Sequence, residues 1–272
     1  MIPPNGQTQI LGLIGETIQG SHSYALHNHV IKNMGLNAVY LPLQSRQTSW
    51  DSIFELDNFK GANVTMPYKE DLLLRMDGVT DRAGQIGAIN TIHKKDGRLI
   101  GDNTDAIGFL SALNKQSIDW LNHPIYILGA GGAAKAVCYA INSIGVDTVY
   151  IWNRNAERIQ NLNGLVPEII YWDGVSTLPN DAIIIQCTPL GQCGEDPLAN
   201  HVLHSTQIVL DLIYKPTPLI QRMQNIGATA IDGMGMLIHQ AAHSFARWFD
   251  CPPPIEMMTD MFTNMHTTES TT

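Results

Sequence analysis

The stretch YILGAGGAAKA, residues 126–136, joins an apolar strand-like run to a small-residue helix-like run through the pattern G-x-G-x-x-A. Gly129 permits a tight turn, Gly131 lets a pyrophosphate approach the backbone, and Ala134 keeps the helix close to the sheet. The first amide groups of such a helix, with the positive end of its dipole, face the phosphates. Gly129, Ala130, Gly131, Gly132 and Ala133 are therefore the candidate dinucleotide turn. The alternative is a tight strand–helix turn with no ligand.

Downstream, TVYIWNR (148–154) reads as the next strand and ends 25 positions past Gly129 (154 − 129). A unit selective for NAD carries Asp or Glu near this point, to accept from the ribose 2′-OH. Here Asn153, Arg154, Asn155, Ala156, Glu157 and Arg158 stand instead. The planar guanidinium fork suits a 2′-phosphate, so Arg154 and Arg158 point to NADP. An arginine merely solvated at a strand end is the other reading. AIIIQCTPLG (182–191) and QIVLDLIY (207–214) continue the strands, and MGMLIHQAAHSFARWF (234–249) is a strong late helix.

Upstream, QILGLIG (9–15), AVYLPL (38–43) and GANVTM (61–66) read as strands, with YALHNHVIKNMG (24–35) as a helix between the first two. AINTIHKKDGRLIGDN (88–103) reads as a hairpin turning at Asp96-Gly97, and TDAIGFLSALNKQ (104–116) as the helix leading into the second half. Strands alternate with helices almost throughout, which predicts an α/β protein of two domains. One is a substrate domain with a mostly parallel sheet, residues 1–105 plus 236–272; the other, 106–235, is a Rossmann-like dinucleotide-binding domain. The active site is expected in the cleft between them. The polar tail TTESTT (267–272) is expected to fray.

The composition is 44% hydrophobic and 15% charged over 272 residues, that of an ordinary globular protein. A net charge of −9 argues against nonspecific nucleic-acid binding, which needs a basic footprint. No apolar run reaches the ~18–20 residues of a membrane span, and MIPPNGQTQ lacks the basic and apolar regions of a signal peptide. A cytoplasmic enzyme is expected, a monomer or homodimer acting on a small molecule without nucleic acid or membrane. Cys138, Cys187, Cys193 and Cys251 show no C-x-x-C spacing and read as reduced thiols.

Within GANVTMPYKE (61–70), Asn63 and Thr65 alternate with Val64 and Met66, which predicts two polar side chains leaving one face and two apolar ones entering the other. Pro67 would then open a helix over YKEDLLLRM (68–76). Lys69 is either a solvated lysine or a lysine held in a site at the strand end. His239 and His243 share the i, i+4 spacing of a zinc motif, but Gln240 occupies the place of the general-base glutamate. Gln cannot take a proton, so these histidines are expected to pack or bond locally and no metal is expected.

The blocks GSHS (20–23), HN (27–28), NVTMPYK (63–69), GAINT (87–91), GDNTDAIG (101–108), GAGGAAKA (129–136), NR (153–154), CTPLG (187–191) and DGMGMLIHQAAHSFARW (232–248) occur in one order and spacing. In these the chain resembles the bacterial shikimate dehydrogenase family over nearly its whole length. The resemblance implies NADP-dependent, reversible reduction of 3-dehydroshikimate to shikimate in aromatic amino-acid biosynthesis. By the family's motif positions, Ser21 and Ser23 would hold the substrate carboxylate. Thr65, Asn90, Tyr214 and Gln240 would hold or flank the ring hydroxyls, and Lys69 with Asp105 would form the catalytic pair. Asp81, Leu212 and Gly233 would lie near the cofactor, as would Asn153 and Asn155, the latter in place of the family's usual threonine. A relative preferring quinate and NAD, or a dinucleotide-binding sensor without catalysis, are the alternatives; a sensor would not require both Lys69 and Asp105.

Overall fold

The structure is a computed structural model that describes residues 3–44, 50–114 and 116–269, with side chains as far as residue 263. It divides into two compact units: Met1–Gly108 with Ile238–Thr272, and Phe109–Leu237.

The first unit begins with β1 (Gln9–Gly15), α1 (Ser23–Asn33), β2 (Ala38–Gln44), α2 (Asp51–Phe54) and β3 (Phe59–Val64). It continues through β4 (Gly78–Val79), α3 (Asp81–Ile86), β5 (Thr91–Lys95), β6 (Arg98–Asp102) and the start of α4 (Asp105–Leu113). The sheet order is β2-β1-β3-β5-β6-β4. β1 pairs with β2 and β3 in parallel, whereas β5 runs antiparallel to both β3 and β6. The hairpin turns where expected, with φ of 51° at Asp96 and 76° at Gly97, the left-handed pair that a two-residue turn between twisted strands requires.

In the second unit follow β7 (Ile125–Leu128), α5 (Gly132–Asn142), β8 (Thr148–Trp152), β9 (Glu168–Tyr171), β10 (Ile183–Gln186), β11 (Ile208–Asp211), α6 (Pro218–Asn225) and β12 (Thr229–Ile231). All six strands are parallel, in the order β12-β11-β10-β7-β8-β9. This is the doubly wound order of a dinucleotide-binding sheet, reversing at β7. Every residue of β7 and β10 is buried, as strands covered on both faces demand. α7 (Met234–Phe249) then carries the chain back into the first unit, where α8 (Ile255–Glu269) closes it. There Trp248 of α7 donates its indole N–H to the Ile92 carbonyl at 2.9 Å. Gly61 makes room for it, since a Cβ at Gly61 would lie 2.4 Å from that indole.

Three expectations are corrected. Asn63 and Val64 are both buried while Met66 is 60% exposed, so the alternation does not separate inside from outside. β3 is central in its sheet, and a central strand is covered on both faces. YKEDLLLRM is no α-helix but a series of turns ending in a 3-10 turn over Leu72–Arg75. The Lys69 carbonyl accepts from Ile89 N at 2.9 Å, which takes it from the bond a continuous helix would make, although Leu72 N still reaches the Tyr68 carbonyl at 3.0 Å. Finally, α8 continues through Glu269, so 267–269 are helical; 270–272 lie outside the described residues.

All four cysteines are free. No described helix is long and apolar enough to cross a membrane.

Candidate active site

In the first unit, Lys69 Nζ and Asp105 Oδ2 are 2.5 Å apart, with side chains only 17% and 8% exposed. Two local structures bring them together. Lys69 leaves the turn after β3, anchored by the Ile89 bond just described. Asp105 is the first residue of α4, and its amide donates to Asn103 Oδ1 at 3.1 Å. Asn103 in turn donates Nδ2 to the Ala88 carbonyl at 2.9 Å, locking the turn against the approach to β5. An ammonium and a carboxylate so little exposed to solvent attract more strongly than a surface pair, because little water screens them.

Asn90 completes the pair's setting. Its Nδ2 donates to Asp105 Oδ1 at 2.7 Å and to Gln240 Oε1 at 3.2 Å. Gln240 approaches because α4 and α7 cross closely at Gly108, where a Cβ would lie 2.7 Å from the Gln240 backbone nitrogen. Thr65, half-buried, follows β3, and its amide donates to the Ile14 carbonyl at 2.8 Å. Ser21 lies in the loop after β1 and Ser23 opens α1; the Ser21 hydroxyl donates to Ser23 Oγ at 3.1 Å and accepts from the Ser23 amide at 3.2 Å. All of these side chains belong to one unit. Asp81, at the first turn of α3, belongs to it too, whereas Tyr214 is in the second unit.

Residues that the sequence reading left aside support this site from beneath. The Asp102 carboxylate accepts from Thr80 Oγ1, Arg82 Nη2, the Asn103 amide and Arg247 Nε at 2.7–2.9 Å. Burial pushes the Asp102 carboxyl up, but Arg82, the Thr80 bond and Arg247 outweigh it and hold it below the ordinary value. Asn63, Thr91, Thr104 and Ser244 are likewise buried and hydrogen-bonded to one another. For Asn63, Thr91 and Ser244 the one signal in the sequence is a polar residue inside an otherwise apolar strand or helix, whereas Thr104 lies in the turn between β6 and α4. Burial, then His239, Arg82 and Arg247, lower the pKa of His243 below the ordinary histidine value; among the described residues no group of three or more potential ligands could hold a metal.

In the second unit, the glycine turn leaves β7 at the point where the sheet order reverses. Gly129 has φ +114°, a left-handed value that favours glycine. Gly131 is extended, and a Cβ there would meet nothing within 4 Å, so the surface over the start of α5 is open. Ala130 donates its amide to Asn153 Oδ1 at 3.2 Å, which ties the turn to the end of β8. Gly132 and Ala133 form the first turn of α5, with amides free of helical acceptors. Asn155 caps the 3-10 helix Ala156–Leu162, accepting from the Glu157 amide at 3.0 Å. Arg154 and Arg158 are exposed beside it. Gly233 packs on the Leu212 backbone, where a Cβ would lie 2.1 Å from the carbonyl oxygen. An open glycine turn, unbonded helical amides and two exposed guanidinium groups fit a phosphorylated dinucleotide.

A doubly wound nucleotide unit and a second α/β unit with a half-buried Lys–Asp pair define a dinucleotide-dependent oxidoreductase. Comparison with known proteins makes the class specific. Residues 13–92 match the model for the shikimate dehydrogenase substrate binding domain, and 233–260 that for the shikimate 5′-dehydrogenase C-terminal domain. The NADP(+) shikimate dehydrogenase of Thermosynechococcus vestitus is 37% identical over 93% of this chain and 94% of its own. The crystal structure of shikimate dehydrogenase from Aquifex aeolicus superposes with a TM-score of 0.85 at 34% identity, covering 95% of this chain and 98% of that one. The enzyme of Thermus thermophilus, solved with NADP(H) and shikimate, gives 0.79 at 28% identity over 93% and 98%. The chain belongs to the shikimate dehydrogenase family.

Proposed function

We propose that this protein catalyses the reversible NADP-dependent reduction of 3-dehydroshikimate to shikimate in the cytoplasm, a step of aromatic amino-acid biosynthesis. The observation that carries the proposal is the Lys69–Asp105 pair at 2.5 Å in the substrate unit. Reduction of a ketone needs a hydride, which the bound nicotinamide supplies, and a proton for the developing alkoxide. Lys69 Nζ gives that proton in reduction and takes it back in oxidation. Its positive charge also stabilises the oxygen as negative charge accumulates. Asp105 orients the ammonium by a charge-assisted bond, and Asn90 holds the second oxygen of that carboxylate.

The Ser21 and Ser23 hydroxyls bind the substrate carboxylate near the start of α1. Thr65, Asn90, Gln240 and Tyr214 hold the ring hydroxyls. Gly129, Ala130, Gly131, Gly132 and Ala133 receive the pyrophosphate, with Asp81, Leu212 and Gly233 lining the cofactor. Asn153 and Asn155 shape the strand end, from which Arg154 and Arg158 bind the 2′-phosphate.

Incubation of the purified protein with shikimate and NADP, followed by the absorbance of the reduced cofactor, tests this directly. Rapid NADPH formation is expected. Preference for quinate with NAD, or binding of both ligands with no turnover, would overturn it in favour of a quinate enzyme or a sensor.

A further inference from the structure

Beneath the Lys–Asp pair, buried polar side chains of the first unit join in one hydrogen-bonded network around the Asn90 amide. Thr104 N can only donate, and it lies 2.7 Å from the amide oxygen of Asn90, which leaves Asn90 Nδ2 facing Asp105 Oδ1. Asn90 Oδ1 can only accept, so at 2.9 Å the Thr91 hydroxyl gives it its one hydrogen. Ser244 Oγ packs 2.7 Å from Thr91 Oγ1. Asn63 donates Nδ2 to Ser244 Oγ at 2.9 Å, and its other amide hydrogen points at the Asn90 carbonyl at 3.2 Å. The orientation of Asn63 is fixed from behind, because the Tyr40 hydroxyl donates to its Oδ1 at 2.9 Å.

The Thr91 and Thr104 hydroxyls both donate to the Asn90 amide oxygen, and Ser244 Oγ touches both of these hydroxyls. Hydrogen bonds in one buried network polarise one another, and the low-dielectric interior strengthens the effect. Ser244, Thr91 and Thr104 are fully buried, so no water competes for their hydroxyls. The Ser244 hydroxyl also contacts Thr104 Oγ1 and the Gln240 carbonyl, both at 3.0 Å, which places it where α7 meets β3 and β5.

We propose that Ser244 is a positioning residue for the reaction: its hydroxyl holds the Thr91 and Thr104 hydroxyls that grip the Asn90 amide oxygen, which keeps the Asn90 amide aimed at Asp105 and so holds the carboxylate that orients Lys69. The inference rests on the catalytic reading of that pair. Removing the hydroxyl leaves Thr91 and Thr104 without this shared partner and lets the Asn90 amide tilt away from Asp105, while the cofactor contacts stay in place.

The test compares wild type, Ser244→Ala, Thr91→Val and the double variant in shikimate oxidation, well below their melting temperatures. Ser244→Ala is expected to lower kcat by ~5–10-fold with KM for NADP within ~2-fold. Because both substitutions break one network, the double variant should lose no more kcat than the more impaired single variant. Unchanged kcat in Ser244→Ala, or losses that multiply in the double variant, would overturn the proposal, even if the melting temperature fell. Wild-type protein inactive towards shikimate would instead reject the functional reading on which it rests.

Discussion

Lys69 carries its charge on a flexible four-carbon stem, which gains a single direction only if something takes hold of the ammonium. Asp105 does so, and Asn90 holds Asp105. Lys69→Ala should therefore lower kcat by on the order of 10²–10⁴ with a smaller change in substrate KM, measured by steady-state kinetics on variant protein of native circular dichroism. Asp105→Asn should also depress kcat, since the amide keeps the shape and loses the charge. His27 has a different consequence. It is buried, stacked on Tyr40 at 4.3 Å and bonded through Nε2 to Asn63 Oδ1, and burial lowers its pKa from 6.5 to about 3 against the smaller upward pull of that bond. Below pH 6.5 the unfolded chain binds a proton at this residue that the folded chain refuses. The contribution to stability is therefore complete above pH 6.5 and declines as the pH falls towards 3, with a slope of up to ~1.4 kcal/mol per unit. Urea midpoints measured from neutral to acid pH should fall accordingly, and His27→Phe should flatten the decline.

Among the elements, the turn between β7 and α5 separates two uses of glycine. Gly129 is needed for folding: with φ +114° and a Cβ position 3.2 Å from the Cys187 backbone, Gly129→Ala should cost ~1–2 kcal/mol in urea denaturation. Gly131 is assigned to binding in the function proposed above: its backbone is extended and its Cβ direction open, so Gly131→Val should fold normally. Its side chain would occupy the space over the helix start, and KM for NADP should rise more than ~10-fold. Unchanged KM for NADP in that variant would remove the pyrophosphate from this turn. Such elements were legible because their patterns are local. QILGLIG and MGMLIHQAAHSFARWF coincide with β1 and α7 because an apolar period or run reports burial within one element. YKEDLLLRM was not legible, because the bond between Lys69 and Ile89 that competes with helix formation comes from another part of the chain.

At the scale of the whole molecule, ligands that bind only the folded state stabilise it, by ~2.7 kcal/mol at a hundredfold excess over Kd. NADP and shikimate should each raise the melting temperature, readable by scanning fluorimetry. Arg154→Ala should diminish the NADP shift and leave those of NAD and shikimate nearly intact. A larger shift with NAD than with NADP in the wild type would overturn the cofactor assignment. The glycine turn, the strand end Asn153-Arg154 and the pairing of Lys69 with Asp105 could all be read from residue types and order, the last with the help of the family resemblance. Their chemistry resides in motifs a few residues long, or in motifs of recurring order. The order of the first sheet, the burial of Asn63 and the route from Ser244 to Asp105 could not. Asn63 and Ser244 are 181 positions apart and meet at 2.9 Å because β3 is central in its sheet and α7 lies across it. A hydroxyl in a helix has the same local preference whether it faces water or a buried amide. Its partner is set by where distant strands and helices pack, and no local pattern of residues encodes that.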